Sequence, residues 1–153
     1  MTSPPVTSPS LQRREWTAIV AVGATYLLAG LIFGALAGTA YSQGARAAWR
    51  LAAWVVSIVA FAAHIWVERA VWGRTSTRTA LCAAAATALG AFGLAAAANV
   101  HAYVVSAHAH AVALRLSLLV WPVLTAVPAF VVAWVSATLI GRVRPSRGER
   151  AAV

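Results

Sequence analysis

Four apolar stretches, each about as long as a membrane-spanning helix, are the feature that most constrains the fold of this chain. They cover residues 17–40, 51–71, 80–100 and 116–140. About 20 apolar residues in a helix cross the roughly 30 Å hydrocarbon core of a bilayer. Because lipid offers the backbone no hydrogen-bond partners, stretches of this kind fold as helices. The sequence therefore predicts an all-α, polytopic membrane protein built as a bundle of four transmembrane helices.

The composition excludes the main alternatives to a membrane protein. Hydrophobic residues make up 61% of the chain and charged residues only 10%, whereas about a quarter of a soluble domain is charged. A disordered chain would be far more polar. Cys82 is the only cysteine, which excludes a small module held together by disulfides. The lipid bilayer is therefore the expected environment.

Two polar tails flank the apolar part of the sequence. Residues 1–16 contain three prolines and several Ser and Thr residues, and residues 141–153 are rich in arginine. Proline blocks a regular helix, and neither segment has enough apolar residues to pack. We expect both segments to be short disordered tails and residues 17–140 to form a single transmembrane domain.

The arginines predict the orientation of the four helices. The net charge is +9, with 12 arginines and no lysine. Nine arginines lie in the tails and at the turn between the second and third stretches, and three lie on the opposite side: Arg46, Arg50 and Arg115. Positive residues favour the cytoplasmic side, so we expect a multi-pass protein of the cell membrane with both termini cytoplasmic. Because the arginines are scattered and form no single basic face, nucleic-acid binding is not expected.

Small residues indicate how the helices pack. Gly30, Gly34 and Gly38 are spaced four apart, which aligns them on one helical face and lets a second helix approach closely. This stripe would serve packing inside the bundle or contact with a second copy. The third stretch is almost entirely Ala and Gly, so we expect it to lie centrally. The expected partners are a second copy or another membrane protein.

His64 and Glu68 are the only ionisable pair near the interior of a predicted helix. Their spacing of four places both side chains on one face. Because His64 is about 20 Å from the start of the second helix, the pair lies near the cytoplasmic end. One interpretation is structural: His64 is satisfied by Glu68, which also pairs with Arg69 or Arg74.

The second interpretation of this pair is functional. Ionisable residues within a membrane are costly and often mark a transport path. Tyr26 and Thr87 are expected at a similar depth and would extend His64 and Glu68 into a polar relay.

Three further histidines, His101, His108 and His110, cluster near the external end of the third helix. Imidazole binds zinc and copper, so a metal site is one interpretation, although no acidic residue or cysteine accompanies them. His101 lies about 30 Å along its helix, at the opposite depth from His64, so the two histidines cannot share a haem. No cofactor is predicted.

No catalytic or nucleotide-binding motif occurs in the sequence. We therefore expect a small integral membrane protein without enzymatic activity, acting as an interaction or accessory subunit. The alternative is a small transporter or channel with its path through His64 and Glu68.

Overall fold

The computed structural model describes residues 9–105 and 111–143, which form four long helices and no strand within these ranges. The elements are α1 (Pro9–Thr39), α2 (Gln43–Trp66), a short π-helical segment (Val67–Val71) that continues α2, α3 (Ser76–Val104) and α4 (Ala111–Val143). All four helices are long and apolar enough to cross a membrane. The predicted all-α four-helix membrane bundle is thus confirmed.

The first helix begins earlier than the sequence suggested. Residues 9–16 were expected in a flexible tail, yet α1 already starts at Pro9. Proline is tolerated in the first turn of a helix because its missing N–H would have no partner there. The early turns also carry Glu15, which forms ion pairs with the start of α3, and these contacts stabilise the helix.

The helix α3 lies between α1 and α4 and packs along both, while α2 packs along α1. The alanines and glycines of α3 allow the neighbouring helices to approach it closely. A Cβ added at Gly90 would lie 2.6 Å from Cδ1 of Tyr26 and 2.9 Å from the carbonyl oxygen of Gly23. Because one of these atoms belongs to the backbone of α1, position 90 requires glycine. The small side chains of α3 therefore determine how closely the helices of the bundle pack.

The best-packed part of the core lies at one end of the bundle, where α2 ends, α3 begins and α4 ends. Five buried residues form it: Ile65, Ala80, Ala83, Ala133 and Ala137. Three larger side chains pack against them, namely Phe61, Phe130 and Ile140. By contrast, no residue between Gln43 and Ala63 is buried. We call this well-packed region the terminal end, because the described parts of α1 and α4 begin and end there.

The outer face of α4 consists of exposed large apolar side chains, including Leu119 and Val127. The helix runs in one segment through Pro122 and Pro128. Exposed apolar surface of this extent is unfavourable in water and favourable in lipid. It fits a helix on the periphery of a membrane bundle.

Candidate functional site

The π-helical segment Val67–Val71 lies at the terminal end and positions Glu68 and the turn that follows it. In this wider turn the Trp72 N–H donates to the Val67 carbonyl oxygen at 3.0 Å. Gly73 follows with a φ of +64°, a left-handed conformation that glycine adopts without steric cost. The chain reverses there, and the Arg74 N–H donates to the Glu68 carbonyl oxygen at 3.1 Å. The reversal brings the side chain of Arg74 back over Glu68.

Glu68 is a fully buried carboxylate, with 0% of its surface exposed. Nη1 of Arg74 lies 3.0 Å from Oε2 and donates a hydrogen bond to Oε1 at 3.3 Å. Among the described residues, Oε2 accepts no hydrogen bond, and its ion pair with Arg74 is its charged contact. A buried carboxylate is costly unless it is paired, so Arg74 is the group that makes burial of Glu68 tolerable.

Glu15 joins α1 to the same cluster. Its Oε1 lies 3.0 Å from Nη1 of Arg74. Arg78 binds it with two hydrogen bonds, from Nε to Oε1 at 3.1 Å and from Nη2 to Oε2 at 2.6 Å. The Cys82 thiol also donates to Oε1 at 3.0 Å. Arg78 and Cys82 are four residues apart and share one face of α3, so both reach Glu15.

We call the four charged residues Glu15, Glu68, Arg74 and Arg78 the ionic clamp. Arg74 is its centre because it contacts both carboxylates. Its guanidinium carbon also lies 5.1 Å from the ring centroid of Trp72, a distance at which a cation is attracted to an aromatic face. The clamp connects α1, the π-helical segment and the start of α3.

Arg69 extends these connections to α4. Its Nε donates to the Ala137 carbonyl oxygen at 2.9 Å, and its Nη1 donates to the Arg74 carbonyl oxygen at 2.9 Å. The guanidinium lies directly on Gly141, where an added Cβ would overlap it. All four helices are therefore joined at the terminal end by arginine side chains.

His64 is buried, with 5% of its surface exposed. Among the described residues its Nε2 has no hydrogen-bond partner, and no ion pair or hydrogen bond joins it to Glu68. The expected contact between the two side chains is therefore not formed. The Glu68 carboxylate pairs instead with Arg74, one of the two arginines predicted beside it.

The other two residues of the predicted relay lie elsewhere. The Thr87 hydroxyl donates to the Ala83 carbonyl oxygen of its own helix at 2.9 Å. The Tyr26 ring packs on Gly90. Within residues 9–105 and 111–143, no hydrogen bond connects Tyr26 or Thr87 with His64 or Glu68.

The glycines of the predicted stripe have different surroundings. A Cβ on Gly30 would lie 2.6 Å from the Leu94 side chain of α3. Gly34 and Gly38 have nothing within 4 Å of that position. The first glycine therefore faces the bundle interior, and the other two are on open surface. The close approach of α1 to α3 depends on Gly23, which the stripe did not include.

Of the three histidines predicted as metal ligands, only His101 can be placed. It lies exposed near the end of α3, and His108 and His110 lie outside the described residues. In the described part of the chain, no group of three or more His, Cys, Asp or Glu side chains is arranged to hold a metal ion.

Sequence reasoning missed the roles of Glu15, Arg78 and Cys82, because Glu15 was assigned to a tail. A usable signal was present. Two of the three glutamates fall at the same end of the predicted bundle as Arg74 and Arg78. Opposite charges at one depth on neighbouring helices attract each other. Thr79 was also missed; it is fully buried, and its hydroxyl oxygen has no partner among the described residues.

Comparison with known proteins found no match among family models, curated proteins or solved structures.

Proposed function

We propose that this protein is a non-enzymatic accessory or interaction subunit of the membrane, whose partner is a second copy or another membrane protein. One observation carries the proposal: both carboxylates of the described bundle are bound by guanidiniums that join its helices. Charged residues in a membrane protein line a path or hold the protein together. Here the contacts favour the second role.

The surroundings of the clamp support this interpretation. A cavity among the described residues lies at the other end of the bundle, beside Arg46 and Arg50. The threonine expected in a relay is bonded within its own helix. A rigid bundle whose outer faces are apolar is suited to side-by-side contact with other helices in the bilayer.

The arginine distribution supports an orientation with both termini on the cytoplasmic side. The ionic clamp and Arg69 would then lie near the cytoplasmic surface. Fusion of a reporter that is active only in the cytoplasm to each terminus tests this orientation, and activity at one terminus alone contradicts it.

Photo-crosslinking in native membranes tests the interaction role. A photoreactive residue is placed at Val127 on α4 or, as a matched control, at Ile58 on α2, since both side chains are about equally exposed, 60% each. A partner that docks on one face gives a discrete protein adduct at one position and only lipid adducts at the other. Lipid adducts alone at both positions would contradict the proposal.

A small transporter is the second candidate, and one observation favours it: Nε2 of the buried His64 has no hydrogen-bond partner among residues 9–105 and 111–143. Proton flux into vesicles containing the protein separates the two functions. The accessory role predicts flux equal to that of empty vesicles. Flux that is lost in His64→Ala and retained in His101→Ala, an exposed histidine on α3, would establish the transporter instead.

A further inference from the structure

A groove of about 370 Å³ runs along the first turns of α2, at the end of the bundle opposite the ionic clamp. Its lining residues are Gln43, Arg46, Ala47, Arg50, Leu51 and Trp54. The polar members lie nearer the start of the helix, and the two large apolar members, Leu51 and Trp54, follow them. The groove therefore changes from cationic to apolar along its length.

Two arginines define the cationic part. Arg46 and Arg50 are four residues apart, a spacing at which like charges on a helix repel each other. Nε of Arg46 donates to the Ala40 carbonyl oxygen at 3.2 Å, which positions its guanidinium without neutralising it. No carboxylate of the described residues forms an ion pair with either arginine, and Glu15 and Glu68 are engaged at the other end. An anion bound between these guanidiniums would relieve the repulsion.

The depth of the groove in a bilayer identifies the kind of anion. The span Gln43–Val71 has 29 residues, about 43 Å of helix at 1.5 Å per residue. Because the hydrocarbon core is only about 30 Å thick, the ends of this span extend into the headgroup layer. Trp54 lies one turn beyond Arg50, about 6 Å further along the helix, at the level of the upper acyl chains. Arg46 thus lies in the headgroup layer, and Arg50 lies about one turn further along, where a long arginine side chain still reaches the headgroups. The apolar part faces hydrocarbon.

We infer that this groove binds an anionic phospholipid. Arg46 and Arg50 contact the phosphate, for which guanidinium groups have matching geometry, and Gln43 supplies a further hydrogen bond. An acyl chain lies over Leu51 and Trp54. A free phosphate ion would use only the cationic part and leave the apolar part of the groove exposed.

Native mass spectrometry of the full-length chain in a non-ionic detergent tests this inference. Dioleoyl phosphatidylglycerol and dioleoyl phosphatidylcholine are added at equal concentration, and the ratio of bound lipids is measured. The wild-type chain is expected to prefer phosphatidylglycerol. The variant R46Q/R50Q should lose about 25-fold of this preference, since each basic residue near an anionic surface contributes roughly fivefold.

The matched control is R13Q/R14Q, which removes the same charge from two exposed residues of α1 and should retain the preference. If R46Q/R50Q does not fold, as judged by circular dichroism, the single variant R50Q should show a roughly fivefold loss. Three results would overturn the inference: no lipid preference in the wild type, an equal loss in the control, or binding of inorganic phosphate as tight as that of phosphatidylglycerol.

Discussion

Replacing Arg74 with glutamine removes the only guanidinium, among the described residues, that contacts the buried carboxylate of Glu68. Removal of one partner from a buried ion pair typically costs about 3–5 kcal/mol, because the other charge is left without compensation. Glu68 has 0% of its side chain exposed and Arg74 has 12%, so water cannot easily replace the lost group. We expect the free energy of unfolding to fall by about 3 kcal/mol or more.

The matched control is Arg78→Gln. Arg78 also binds a carboxylate of the ionic clamp, but 46% of its side chain is exposed. Exposed pairs contribute about 0–1 kcal/mol, so this variant should be only slightly destabilised. The double variant E68Q/R74Q removes both buried charges and should recover most of the stability lost in Arg74→Gln.

Unfolding by sodium dodecyl sulfate in mixed micelles, followed by far-ultraviolet circular dichroism, measures all three variants against the wild type. Two results would refute the reasoning. Equal destabilisation by the Arg74 and Arg78 substitutions would mean that burial of Glu68 does not raise the cost. A double variant no more stable than Arg74→Gln would mean that Arg74 acts through packing and not through its charge.

Two further predictions concern Gly141 and Cys82. In Gly141→Ala the new methyl group displaces the Arg69 guanidinium from α4. The hydrogen bond from Arg69 to the Ala137 carbonyl oxygen is then lost, which should cost about 1–3 kcal/mol. Gly34→Ala, which meets nothing within 4 Å, should be neutral or slightly stabilising in the same assay, and equal effects would contradict the assigned contact. Cys82 has only 4% of its surface exposed. Its thiol should therefore resist maleimide in the folded protein and react fully in dodecyl sulfate, since only an accessible thiolate is alkylated. Equal reaction rates in both states would contradict its burial.

The fold could be predicted from sequence because the bilayer fixes the length of each apolar helix. The helices nevertheless extend beyond the predicted spans; α3 begins at Ser76 and α4 ends at Val143. The hydropathy of the sequence indicates which residues lie in the hydrocarbon core, but it does not indicate the residue at which a helix ends. Polar turns at the surface stay helical when caps such as Thr75 satisfy the first backbone N–H groups.

The candidate site could be predicted only in part. The sequence singled out Glu68 and suggested Arg74 as a partner, because both lie near one surface of the membrane. It could not predict that Glu68 forms no hydrogen bond with His64, since the chain reversal at Gly73 that brings Arg74 over Glu68 is seen only in the folded structure. Glu15 was overlooked because α1 begins before the hydrophobic stretch, in residues that were assigned to the tail.

The position of Glu15 in the chain also orders assembly in time. Glu15 is synthesised 63 residues before Arg78, which corresponds to roughly 3–13 s at about 5–20 residues per second. The rest of α1 and all of α2 are made during this interval, and Glu15 has neither of its guanidinium partners until Arg74 and Arg78 follow. The ion pairs that join α1 to the rest of the bundle therefore form only after the start of α3 has been synthesised.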